Sequence, residues 1–65
     1  MSLSLDTDRA RAAFIEARKA VLASAEDVAD KRARGVLTVA ALDRLDEDVT
    51  AFQNARRKFI LLVPE

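Results

Sequence analysis

The sequence predicts an all-α protein, an antiparallel two-helix hairpin that dimerises into a four-helix bundle. Apolar residues recur every three or four positions along two long segments, and the only glycine, Gly35, separates them. Of the 65 residues, 51% are hydrophobic and 34% are charged, a composition that favours a folded helical chain over disorder. We expect residues 1–65 to form one domain, with helix 1 at about 6–34, a turn at 35–37 and helix 2 at about 38–63.

Helix 1 is predicted to begin where Asp6 or Ser4 can act as the N-cap. Two apolar stripes run along it, and together they are too wide to be covered by one neighbouring helix. The first stripe consists of Ala10, Phe14, Ala17, Val21, Ala25 and Val28, and the second of Ile15, Leu22 and Ala29. Helix 1 therefore needs a second packing partner besides helix 2.

The turn between the helices has the residues that end one helix and begin another. Lys31, Arg32 and Arg34 favour a helix C-terminus, and Gly35 suits the left-handed residue that follows one. Thr38 is the predicted N-cap of helix 2. So short a connection makes the helices antiparallel neighbours.

Helix 2 carries a repeat of alternating three- and four-residue spacings, formed by Leu42, Leu45, Val49, Phe52, Arg56, Phe59 and Val63, and Pro64 is expected to end the helix. Folding the chain about Gly35 places Ala17 near Phe52 and Phe14 near Arg56. Arg56 is the polar exception in the repeat. We expect it to lie over the Phe14 ring and to specify register or oligomeric state.

Charge is balanced, with 11 basic and 11 acidic residues, so no net charge directs the chain toward nucleic acid or an anionic membrane. The hairpin is expected to bring Lys31, Arg32 and Arg34 beside the acidic start of helix 2, and Asp6 and Asp8 beside residues 56–58.

Catalytic, cofactor-binding and metal-binding sites are not expected. Cys and His are absent, which excludes disulfides, thiolate or imidazole metal sites and Cys/His nucleophiles. The acidic group Asp43, Asp46, Glu47 and Asp48 lacks the loop and the carbonyl ligands of a calcium site. A hairpin also offers no cleft to shift carboxyl pKa values, so we do not expect an enzyme.

The longest apolar run, residues 59–63, is far shorter than the ~20 residues that a membrane span needs. A cytoplasmic protein without a membrane partner is therefore expected.

The second apolar stripe indicates an interaction surface, because a monomeric hairpin would leave it in water. The partner is a second copy of the chain or a different protein, and the expected function is that of a non-catalytic adaptor, co-chaperone or small structural subunit. The candidate interface residues are Phe14, Ile15, Arg18, Leu22, Phe52, Arg56, Phe59, Ile60 and Leu62, with Leu61 beside them.

The alternative is a small nucleic-acid-binding regulator that contacts phosphates through Arg9, Arg11, Arg56, Arg57 and Lys58. Against it, the basic clusters lie opposite acidic ones, and no aromatic residue is free to stack on a base.

The layout of the whole chain resembles the small helical-hairpin co-chaperones of type III secretion, and it is similar to plasmid Rop-type RNA-binding hairpin dimers. Both resemblances are of architecture, and they imply a bacterial-type small protein.

Overall fold

The chain folds into two helices packed side by side in an antiparallel hairpin, as seen in a computed structural model that describes residues 2–62 and the side chains of residues 5–62. Helix α1 spans Ser2–Arg34 and helix α2 spans Val39–Leu62. The prediction of an all-helical, two-helix fold is confirmed. The predicted N-cap is wrong, because α1 begins at Ser2 and both Ser4 and Asp6 lie inside it. Val63 and Pro64, the predicted end of helix 2, lie outside the described residues.

The end of α1 closes with a Schellman motif, as its sequence predicts. Gly35 adopts a φ of 74°, the left-handed region that a side chain disfavours. Its N–H donates to the Arg32 carbonyl at 3.1 Å, and the N–H of Val36 donates to the Lys31 carbonyl at 2.9 Å. These two bonds satisfy carbonyls that the helix leaves without partners, and they reverse the chain direction.

Thr38 caps the start of α2, which confirms its predicted role. The N–H of Ala41 donates to Thr38 Oγ1 at 3.3 Å, and the N–H of Leu42 donates to the Thr38 carbonyl at 3.3 Å. The side chain thereby satisfies a backbone donor that has no partner within the first turn.

One seam of residues joins the two helices, and we call it the inner seam. It contains nearly all the described helical side chains that are at least partly buried, Ala20 and Val49 being the exceptions. Its spacing alternates between three and four residues, as in a coiled coil. On α1 it comprises Thr7, Ala10, Phe14, Ala17, Val21, Ser24, Val28 and Lys31, and on α2 it comprises Ala41, Leu45, Asp48, Phe52, Ala55, Phe59 and Leu62.

The inner seam of α2 differs from the predicted repeat at every second position. Leu45, Phe52 and Phe59 are shared, but Ala41, Asp48 and Ala55 replace Leu42, Val49 and Arg56 as the residues facing α1. On α1, Ser24 takes the place predicted for Ala25. The prediction that Arg56 interrupts this seam is therefore wrong.

The hairpin by itself is a thin rod, with principal extents of 51 × 18 × 13 Å. Among the described side chains only Ala41 and Ser24 are buried, each with 7% of its surface exposed, and no large side chain is fully buried. Within residues 2–62 neither helix combines the length and the apolar character needed to cross a bilayer.

Candidate interaction surface

Three phenylalanines form an apolar cluster between the helices. The ring of Phe14 stacks on Phe52, with centroids 5.3 Å apart, and on Phe59, with centroids 5.6 Å apart. Phe14 thus lies between two turns of α2, at the level predicted from folding the chain about Gly35. Its ring faces are occupied by phenylalanines, so the expected contact with the exposed Arg56 side chain is not formed.

A polar pair occupies the middle of the inner seam, where Ser24 Oγ donates a hydrogen bond to Asp48 Oδ2. Ser24 is buried and Asp48 is half-buried. Because the Ser24 hydroxyl is the donor and the Asp48 carboxylate is the acceptor, the pair avoids the free-energy cost of an unsatisfied polar group between the helices. The sequence pattern did not identify this pair.

The ion pairs of the described residues lie within α1. Lys31 Nζ is 3.0 Å from Asp27 Oδ2, Arg34 Nε is 3.4 Å from Asp30 Oδ2, and Lys19 Nζ is 3.4 Å from Glu16 Oε1. Between residues 5 and 62 no ion pair joins the two helices, although Asp6 lies near Lys58 and Lys31 lies near Asp48, as expected from the placement of the opposite clusters. Such exposed pairs add little stability.

A second seam runs along one side of the hairpin, and we call it the outer seam. Each helix contributes a series with the same alternating spacing as the inner seam, displaced around the helix by about a quarter turn. The series on α1 is Asp8, Arg11, Ile15, Arg18, Leu22, Ala25, Ala29 and Arg32, and the series on α2 is Val39, Leu42, Asp46, Val49, Gln53, Arg56 and Ile60.

The opposite side of the hairpin has a different composition. A groove there is lined by Ala20, Ala23 and Asp27 of α1 and by Arg44 of α2. Further along the same side, Asp6 and Arg9 approach Lys58 and Leu61. We call this the groove side. It is rich in alanine and mixed charge, whereas the outer seam holds larger apolar residues.

The exposed apolar residues are concentrated on the outer seam. Eight large apolar side chains among those described are substantially exposed, and five of them belong to this seam. These five are Ile15, Leu22, Val39, Leu42 and Ile60, which are spread along its whole length. The half-buried Val49 lies among them.

The structure divides the predicted interface residues among three surfaces. Phe14, Phe52, Phe59 and Leu62 lie in the inner seam and join the two helices to each other. Ile15, Arg18, Leu22, Arg56 and Ile60 lie on the outer seam, and Leu61 lies on the groove side. Leu42, Val49 and Val39 are the remaining apolar residues of the outer seam on α2, and sequence reasoning assigned the first two to the hairpin contact instead.

The predicted phosphate-contacting residues do not share one face. Arg11 and Arg56 lie on the outer seam, Arg57 lies beside Arg56 on the outward face of α2, and Arg9 and Lys58 lie on the groove side near Asp6. Phosphate binding through all five at once would need them on one surface.

No group of three or more acidic residues within residues 2–62 is arranged to hold a metal ion. The sequence matches no protein-family model, and neither a curated protein nor a solved structure is significantly similar to the chain.

Proposed function

We propose that this protein is a non-catalytic assembly module that self-associates through its outer seam to form a four-helix bundle. The observation that carries the proposal is the concentration of large exposed apolar side chains on one side of a hairpin that has almost no core of its own. Clustered exposed apolar residues mark interaction surfaces, since single folded domains rarely leave them in water.

The accessible surface supports the same proposal. The chain exposes 5358 Å². A compact monomer of 7.2 kDa would expose about 4,100 Å², so the hairpin has an excess of about 1,200 Å². Covering that excess on each of two chains would bury about 2,400 Å² in total, which is in the range of obligate homodimers. An interface of that size is large enough for a stable homodimer.

Self-association would also supply the additional stability that so small a chain needs. A domain of this length buries only about 60% of the surface of its unfolded form and commonly needs a disulfide, a metal or an oligomer. The sequence has no Cys or His with which to form a disulfide or the usual zinc site. A second hairpin supplies the missing core.

Nucleic-acid binding is the second candidate, favoured by four arginines on the outer seam, Arg11, Arg18, Arg32 and Arg56. Apolar side chains separate these arginines, and the three phenylalanines pack in the inner seam instead of offering faces to bases. A mobility-shift titration across a salt series tests this candidate, because phosphate binding weakens steeply as salt rises.

Two adjacent residues provide a matched test of the assembly proposal. Ile60 and Leu61 are both exposed, at 54% and 79%, but Ile60 lies on the outer seam and Leu61 on the groove side. Ile60→Lys should weaken self-association by about a hundredfold, since each dimer would lose two apolar contacts and gain two buried charges. Leu61→Lys should leave it nearly unchanged.

Sedimentation equilibrium over a wide concentration range measures both effects, and the melting temperature of the unmodified chain should rise with concentration. A chain that is folded and monomeric at every concentration would contradict the proposal. So would a dimer that Leu61→Lys disrupts and Ile60→Lys does not.

A further inference from the structure

We propose that two copies pair through their outer seams about a two-fold axis perpendicular to the helices, so that each helix lies antiparallel to its own counterpart. This inference rests on the proposed self-association and adds its geometry. It follows from the order of charged and apolar residues along the two outer seams, combined with the register that the inner seam fixes between α1 and α2.

On α2, the outer-seam residues of one copy are complementary to those of a second copy of α2 that runs antiparallel to it. With the axis at residue 51, Asp46 lies opposite Arg56 of the second copy, and Leu42 lies opposite Ile60 of the second copy. Val49 then lies opposite Gln53 of the second copy. Because the two-fold repeats each contact, this arrangement has two ion pairs and two apolar pairs along α2.

On α1, the same operation gives complementary contacts with the axis at residue 20. Asp8 lies opposite Arg32 of the second copy, and Ile15 lies opposite Ala25 of the second copy, a large residue against a small one. Arg18 and Arg11 meet Leu22 and Ala29, whose apolar surface their hydrocarbon stems can cover while the guanidinium groups reach the edge. Every aspartate of the outer seam thereby meets an arginine.

The axis positions at residues 20 and 51 were found from the outer seams alone. They agree with the register between α1 and α2 that the inner seam fixes independently. A single axis must cross α1 and α2 at the same height, so residues 20 and 51 have to be level with each other in the hairpin. The bond from Ser24 to Asp48 places residue 20 level with about residue 52, and Phe14 between Phe52 and Phe59 places it level with about residue 50. One axis therefore satisfies both seams.

The other two-fold arrangement, with the axis parallel to the helices, pairs α1 with α2 of the second copy. Leu22 would then meet Val49, but Arg56 would lie opposite Ile15 and Asp46 opposite Ala25. Neither aspartate of the outer seam would meet an arginine. Charge complementarity thus distinguishes the two arrangements and favours the perpendicular axis.

The four charged residues of these pairs are free to form them. Asp8, Arg32, Asp46 and Arg56 are exposed, and none makes an ion pair among the residues that the structure describes. Asp46 and Arg56 are ten residues apart on one helix, or about 15 Å, which is too far for a pair within one chain. Their pairing requires a second copy.

Charge exchange tests this geometry. Asp46→Arg alone places arginine opposite arginine twice in each dimer, and Arg56→Asp alone places aspartate opposite aspartate twice. Each variant should therefore dimerise about tenfold to a hundredfold more weakly than the unmodified chain. An equimolar mixture of the two variants restores both ion pairs in a heterodimer, whose affinity should return to that of the unmodified dimer.

Asp43→Arg and Arg57→Asp serve as the control, since both residues lie on the outward face of α2 and are exposed. Neither these variants nor their mixture should change dimer affinity appreciably. Circular dichroism of each variant at the working concentration checks that the helices persist.

Sedimentation velocity, with one variant labelled in each mixture, supplies the measurement. Preferential heterodimer formation by the Asp46→Arg and Arg56→Asp mixture supports the perpendicular axis. If the unmodified chain dimerises and the mixture is no tighter than its components, the orientation proposed here is wrong and the assembly proposal stands. If the unmodified chain does not dimerise, both are wrong.

Discussion

Removing the central ring of the phenylalanine cluster should destabilise the hairpin more than any other single truncation to alanine. Phe14 stacks on Phe52 and on Phe59, so Phe14→Ala removes two ring contacts as well as apolar area from the inner seam. Replacing a fully buried phenylalanine by alanine costs about 3–5 kcal/mol. Phe14 is half-buried in the hairpin, which places the expected loss at about 2–3 kcal/mol.

Thermal unfolding followed by circular dichroism measures this loss. For a domain of this size, each kcal/mol lowers the melting temperature by about 4–8 °C, so Phe14→Ala should melt about 10–20 °C lower at equal protein concentration. Leu61→Ala provides the control, because Leu61 is 79% exposed and its truncation should change stability by less than about 0.5 kcal/mol.

A double-mutant cycle separates ring stacking from general loss of packing. Phe14→Ala and Phe52→Ala, alone and together, should show a coupling of about 0.5–1.5 kcal/mol, the usual range for stacked aromatic pairs. If Phe14→Ala costs less than about 1 kcal/mol, or if the two substitutions are additive, the ring cluster does not hold the helices together and the assigned inner seam is incorrect.

Three further substitutions test the turn and the polar pair, each by thermal or denaturant unfolding. Gly35→Ala should cost about 1–2 kcal/mol, because alanine is strained at a φ of 74° although space for its methyl group is free, and an unchanged stability would show that the turn adopts another conformation. Thr38→Ala should cost about 1 kcal/mol through loss of the bond to the Ala41 N–H, whereas Thr38→Ser should retain most of it. Asp48→Ala should cost about 1–3 kcal/mol by leaving the buried Ser24 hydroxyl without its acceptor, and adding Ser24→Ala should recover part of that loss.

Local chemistry made the turn predictable from sequence. A glycine after a cluster of cations predicts a helix end, and a threonine three residues later predicts a helix start, because each residue type satisfies backbone groups within one turn of itself. The structure has both features at Gly35 and Thr38. The start of α1 was not predictable in this way, since Asp6 is compatible with a cap and with a helix interior alike.

The facing residues of α2 were harder to predict, because that helix carries two overlapping repeats. Leu45, Phe52 and Phe59 belong to both, and apolarity alone selects Leu42 and Val49 as the remaining members. In the structure the smaller Ala41 and Ala55 face α1, while Leu42 and Val49 lie on the outer seam. Arg56 lies on the outer seam with the polar Asp46 and Gln53, so it is not the polar exception in the seam between the helices that the repeat predicts.

The Ser24–Asp48 pair explains why a pattern taken from each helix separately selects the wrong side. Considered alone, Asp48 is a poor seam residue beside Val49, and Ser24 is a poor one beside Ala25, because burial without a partner costs each polar group free energy. Together they form a hydrogen bond, which removes most of the free-energy cost of placing these two polar residues between the helices. The small residues Ala20 and Ala41 line the same groove as the pair. The larger apolar residues consequently remain on the outer seam, where they are available to a second copy. The selection of the inner face therefore depends on a contact between residues 24 positions apart, which neither helix reveals by itself.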